Sequence, residues 1–140
     1  MKRKAVRVLL LGMGVAVMGV LAAALVLVSG PLMTRYQARI DANPGTGFNR
    51  WLQLATADVC RKTWRPEMAA ERYRRFMRLY PQDSARPYAL LQLARSQEAA
   101  NRCSDAIRTY QQYIDEYPHR EAEVAEARTG IERVRALSGR

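Results

Sequence analysis

His119, Cys60 and Cys103 are the residues of this chain best equipped for chemistry, and they stand apart. His119 is the single histidine and follows Pro118 directly, in a stretch that reads as a loop between helices. A zinc site needs three or four convergent ligands, and a nucleophile needs a base beside it, so a lone imidazole there reads as solvated punctuation. The chain has no Cys-x-x-Cys, no glycine-rich phosphate loop and no set of residues for a catalytic triad. No catalytic, metal or cofactor site is expected, and no enzymatic activity.

The elements that would position any surface site begin with a charge asymmetry. Lys and Arg number 23 against 13 Asp and Glu, a formal net charge of +10, and taking away Lys2, Arg3, Lys4 and Arg7 leaves +6 on the rest. Those four precede Val8–Ser29, a run of 22 residues without a charge. At about 1.5 Å per residue such a helix spans a hydrocarbon core of roughly 30 Å. Basic residues before the run place the N-terminus in the cytoplasm and the remainder across the membrane. Residues 1–30 are therefore expected to be an uncleaved signal anchor in the inner membrane. The alternative is a cleaved leader and a secreted module. Against it, the run exceeds the usual apolar core of about 7 to 15 residues. Its best small-residue site, Val28-Ser29-Gly30, is followed by Pro31, and no Cys follows closely to accept a lipid.

Residues 31–47 read as a juxtamembrane helix, Pro31–Ala42, and a linker broken by Asn43-Pro44-Gly45-Thr46-Gly47. From Phe48 every long segment keeps helical spacing, and none alternates with period two. The first helix is expected to bury Trp51, Leu54, Ala55 and Val59, and the second Met68, Ala69, Tyr73, Phe76 and Met77. The third carries Tyr88, Leu90, Leu91, Leu93 and Ala94, and the fourth, capped by Ser104, carries Ala106, Ile107, Tyr110, Tyr113 and Ile114. The last, Glu121 to Leu137, lines Val124, Ala127, Ile131, Val134 and Leu137 on one stripe.

Two of these segments repeat each other. AAERYRRFMRLYP, closing at Pro81, returns as AIRTYQQYIDEYP, closing at Pro118, 37 residues later. A period in that range signals stacked helical units. Leu90, Leu93, Ala94, Ala106, Ile107, Tyr110 and Pro118 resemble the pattern of the tetratricopeptide repeat family, in which pairs of antiparallel helices stack. In the earlier unit Trp51, Leu54 and Ala55 match the same triplet, with a turn two residues longer, followed by Ala69, Tyr73 and Pro81. The Tyr-Pro endings are similar to those of an envelope subgroup, the BamD-like lipoproteins and the Tol-Pal coordinator. The resemblance implies an all-α fold over residues 48–140, with the last helix as a cap. It also implies a scaffold for a protein partner in the periplasm.

Family members grip peptides on a surface lined by the first helix of each unit. Carried over by position, that surface would be Asn49, Gln53 and Thr56, then Tyr88, Gln92 and Arg95. A homo-oligomer stacked end to end is the other expectation for so short an array. Arg61, Lys62, Arg65, Arg72, Arg74, Arg75 and Arg78 against Glu67 and Glu71 leave the first unit basic, as a solvated face or one turned to anionic headgroups. Nucleic acid is not an expected partner on that side of a membrane. Cys60 and Cys103 map to one edge of the stack, where the compartment permits a disulfide. That pairing is weighed against two buried thiols.

Overall fold

The computed structural model of the protein describes residues 31–43 and 45–139, so the expected anchor Val8–Ser29 lies outside the described residues. Among the described residues no helix is long and apolar enough to cross a membrane. Six helices are described: α1 (Pro31–Ala42), α2 (Gly47–Lys62), α3 (Pro66–Leu79), α4 (Arg86–Ala99), α5 (Cys103–Glu116) and α6 (Glu121–Ser138). The chain divides into two compact units, one ending at Ala42 and the other running from Asn43 to the C-terminus. In the first, α1 has the bounds expected from the sequence.

In the second unit each helix from α2 to α6 packs against the next, and α4 also touches α6. The starts and stops have local causes. Thr46 accepts the Asn49 amide in an N-cap on α2, and Pro66 opens α3, where a missing N–H costs nothing. Asp83 turns the chain toward α4 by accepting the Ala85 amide at 2.8 Å. Ser104 does not cap α5, which starts one residue earlier from an Arg102 N-cap without a side-chain bond.

The period of 37 is written in the backbone. Trp64 and Asn101, 37 apart, both turn left-handed, with φ of 56° and 58°. The Arg65 amide donates to the Cys60 carbonyl as the Arg102 amide does to that of Gln97, and the Tyr80 amide to Phe76 as that of Tyr117 to Tyr113. Even the ring pairs recur, Phe76–Tyr80 at 5.2 Å and Tyr113–Tyr117 at 5.3 Å.

This register holds with no insertion, which corrects the expected first unit. The residues of α2 that go inside are Gln53, Thr56, Ala57 and Cys60. They stand 37 before Leu90, Leu93, Ala94 and Gln97, which are likewise buried. Trp51 is 61% exposed, and Leu54, Ala55 and Val59 are only half-buried. The same step carried forward places Ala127, Gly130, Ile131 and Val134 of α6 in the inner positions, and all four are buried. So α6 occupies the place of the first helix of a further unit, and Leu137, expected on its inner stripe, is exposed.

The core is aromatic. Tyr73, Phe76, Tyr110 and Tyr113 are at most 1% exposed, each worth roughly 2 to 3 kcal/mol of burial. Small residues make room for them: Ala57, Ala69, Ala94, Ala106 and Ala127 are fully buried where helices approach.

Candidate protein-docking face

The inner register decides which of the six residues expected at a partner surface can touch a partner. Gln53, Thr56 and Gln92 are 1%, 7% and 4% exposed, so they belong to the interior. Thr56 donates to the Gln53 carbonyl at 3.0 Å and accepts from Arg72 at 3.5 Å. Asn49 spends its side-chain amide on the Asn43 carbonyl, at 2.8 Å, and so fastens the linker to α2. Tyr88, 40% exposed, remains on a surface, as do the partly exposed Arg95 and Asn49.

A step of seven residues returns to within about 20° of the same direction on a helix. Trp51 and Asp58 therefore share one face of α2, and Tyr88 and Arg95 share one face of α4. Tyr88 Oη donates to Asp58 Oδ1 at 2.8 Å, bringing the two faces together. The same oxygen accepts from Tyr73 Oη of α3 at 2.5 Å, so one carboxylate holds two phenols. Burial pushes both tyrosines above the ordinary phenol range, and the Asp58 carboxylate pushes them further. Both keep their protons and donate them to the carboxylate.

Two turns along the same face of α4, Arg95 forms an ion pair with Glu126 of α6. One turn further along α4, Glu98 is bound by Arg133 of α6, whose Nη2 stands 2.8 Å from Oε2. Tyr110 of α5 donates to that same oxygen at 2.8 Å. Burial raises the Glu98 carboxyl, but the bonds from Arg133 and Tyr110 outweigh it and hold the group below its usual range. Side-chain bridges thus tie α2, α4 and α6 into one surface.

Aromatic rings mark its open end. Trp51 and Tyr88 hold equivalent positions, 37 apart, and Phe48 packs beside Trp51 with ring centroids 6.1 Å apart. The face therefore offers π surfaces and a phenol beside charges already fixed by their partners. Such groups suit recognition of a protein segment, since they present large area at low entropic cost. Trp51 and Asp58 were missing from the expected surface. The ungapped 37-residue step from Tyr88 and Arg95 points straight at both.

Cys60 and Cys103 are free thiols. The helices that carry them, α2 and α5, are not neighbours in the stack, because α3 and α4 come between. Cys60 is buried, and burial pushes its thiol up in spite of Arg72 nearby. Cys103 opens α5 and faces the Asn101 side chain at 3.7 Å. Among the described residues no three His, Cys, Asp or Glu side chains come together as metal ligands would.

Comparison with curated proteins and with solved structures returned no match. The family model of the tetratricopeptide repeat matches residues 88–120, the span of α4, α5 and the closing Tyr117-Pro118. The α4–α5 pair is thus a tetratricopeptide-like repeat, and α2–α3 runs in its register 37 residues earlier.

Proposed function

We propose that this chain is a non-enzymatic scaffold that docks a protein partner on the face shared by α2, α4 and α6. The observation that carries the reading is the recurrence of an exposed aromatic, Trp51 and then Tyr88, at one position of successive units. A large ring left in water twice at the same register, over a surface whose charges are already paired, is placed for a contact. The uncharged run Val8–Ser29 behind four basic residues supports a single-pass anchor with the scaffold across the membrane from the cytoplasm, and the resemblance of the Tyr-Pro endings to envelope proteins is the ground for placing it in a bacterial envelope.

Photo-crosslinking in intact cells tests the docking face. A benzoylphenylalanine placed at position 51 or 88 of the full chain should give a discrete adduct, and one at the exposed Gln111 of α5 should not. Adducts of equal yield at all three positions, or none at 51 and 88, would remove the face from consideration. Intact mass from the membrane fraction tests the anchor separately. Loss of residues 1–30 from the mature chain would overturn it and leave the docking face untouched.

A further inference from the structure

Across α4 from the aromatic face lies a cleft of about 430 Å³ between α3 and α5. Arg86, Leu93 and Gln97 line it from α4, each two residues from Tyr88 or Arg95 and so about 200° round the helix. The two surfaces are therefore on opposite sides. Four arginines, Arg74, Arg78, Arg86 and Arg108, stand round the cleft, and Met77 and Leu93 give it an apolar wall.

We propose that this cleft is a second docking site, one that takes an acidic peptide segment of a partner protein. The first reason is a shortage of carboxylate at its rim. Arg74 and Arg78 share Glu71, at 3.4 and 3.5 Å, and both distances are long for a charge-assisted bond. Across the cleft Arg102 and Arg108 share Asp105, at 2.6 and 2.8 Å. Arg86 pairs with Glu116 at 3.2 Å, so three carboxylates serve five guanidiniums of five donors each, and much of this capacity is turned to water. The side chains of Arg78 and Arg108 are 65% and 76% exposed, from opposite walls. An incoming carboxylate between them gains both.

A second reason is that the floor is built. Gln97 is 3% exposed, and with its amide oriented to satisfy both ends it donates to Thr109 Oγ1 at 2.7 Å and accepts from Arg74 at 3.1 Å. That bond fixes the inner guanidinium before any ligand arrives, which lowers the ordering cost of binding. The third reason favours a peptide over a bilayer. Leu93 and Gln97 lie at the bottom of a recess between two helices, where one side chain of an extended segment can descend. A plane of headgroups meets the rim alone.

Fluorescence anisotropy on the full chain in detergent micelles tests the site with two labelled peptides, Glu-Glu-Leu-Glu-Glu and Gln-Gln-Leu-Gln-Gln. The acidic peptide should bind saturably, and the amide peptide at least about tenfold more weakly. Arg78→Gln with Arg108→Gln, both on exposed side chains, should weaken the acidic peptide about tenfold. Arg128→Gln with Arg135→Gln on α6 removes the same charge elsewhere and should leave it within twofold. Equal binding of the two peptides would overturn the proposal. So would an equal loss in the α6 variant, which would reduce the effect to net charge. Binding of phosphatidylserine vesicles without binding of the peptide would reassign the cleft to lipid. Each result leaves the crosslinking test at positions 51 and 88 independent.

Discussion

Gly130 of α6 lies under the Tyr110 ring so closely that a Cβ there would stand 2.6 Å from Cζ and 2.7 Å from Cε2. Tyr110 cannot step aside, being 1% exposed with its hydroxyl held by Glu98. Gly130→Ala gains about 1 kcal/mol of helix propensity and loses roughly 1 to 3 to overpacking. The net expectation is a loss of about 1 kcal/mol, read as a lower thermal midpoint of the full chain. In a Tyr110→Leu background the ring is gone, and the same change should become stabilising. Destabilisation of equal size in both backgrounds would show that the ring is not the cause.

Trp64 presents the opposite case, a large residue where a small one belongs. Its φ of 56° matches the 58° of Asn101 one unit on. A left-handed turn suits asparagine and costs a bulky residue about 1 kcal/mol or more. At 94% exposure the indole has no packing to offset that strain. Trp64→Asn should therefore raise the denaturant midpoint by the equivalent of about 1 kcal/mol. An unchanged or lower midpoint would mean that the ring does stabilise the turn.

Gln53 occupies the position that Leu90 fills in the next unit, and it is 1% exposed. Neither its Oε1 nor its Nε2 meets a partner among the described residues. A buried amide so placed costs about 1 to 3 kcal/mol. Gln53→Leu, close in volume, should stabilise the full chain by that order in chemical unfolding. A destabilised variant would mean that the amide is satisfied in solution.

Gln53 also explains what the sequence hid. The 37-residue echo from Ala69 to Pro81 and from Ala106 to Pro118 is plain, because the buried Ala69, Tyr73 and Phe76 of α3 return as the buried Ala106, Tyr110 and Tyr113 of α5. In α2 polar residues enter the inner row, which is Gln53, Thr56, Ala57 and Cys60, while Trp51 looks outward and Leu54 is only half-buried. Hydrophobic spacing alone therefore picks the wrong face, and an ungapped alignment picks the right one. The arginine cleft was invisible for another reason. Arg74 and Arg78 read as part of a basic face, solvated or turned to headgroups, until α3 and α5 are seen to stand on either side of Gln97.

The Glu98 bridge gives the fold an acid limit. Its folded pKa is depressed, so its contribution is fully present above the unfolded carboxylate value, about 4.3, and is lost as pH falls through the lower folded value. Tyr110 sets the alkaline counterpart. Burial and the bond to Glu98 raise it, so its contribution is present below the ordinary tyrosine value of about 10 and declines as pH rises beyond. Glu98→Gln keeps an acceptor for Tyr110 and removes the charge that binds Arg133. Measured by chemical unfolding, wild type should exceed this variant in stability at pH 6, and the gap should close between pH 4 and pH 2.5. A gap that stays constant across that range would mean that Glu98 acts through packing, and its ion pair with Arg133 would then have no part in tying α4 to α6.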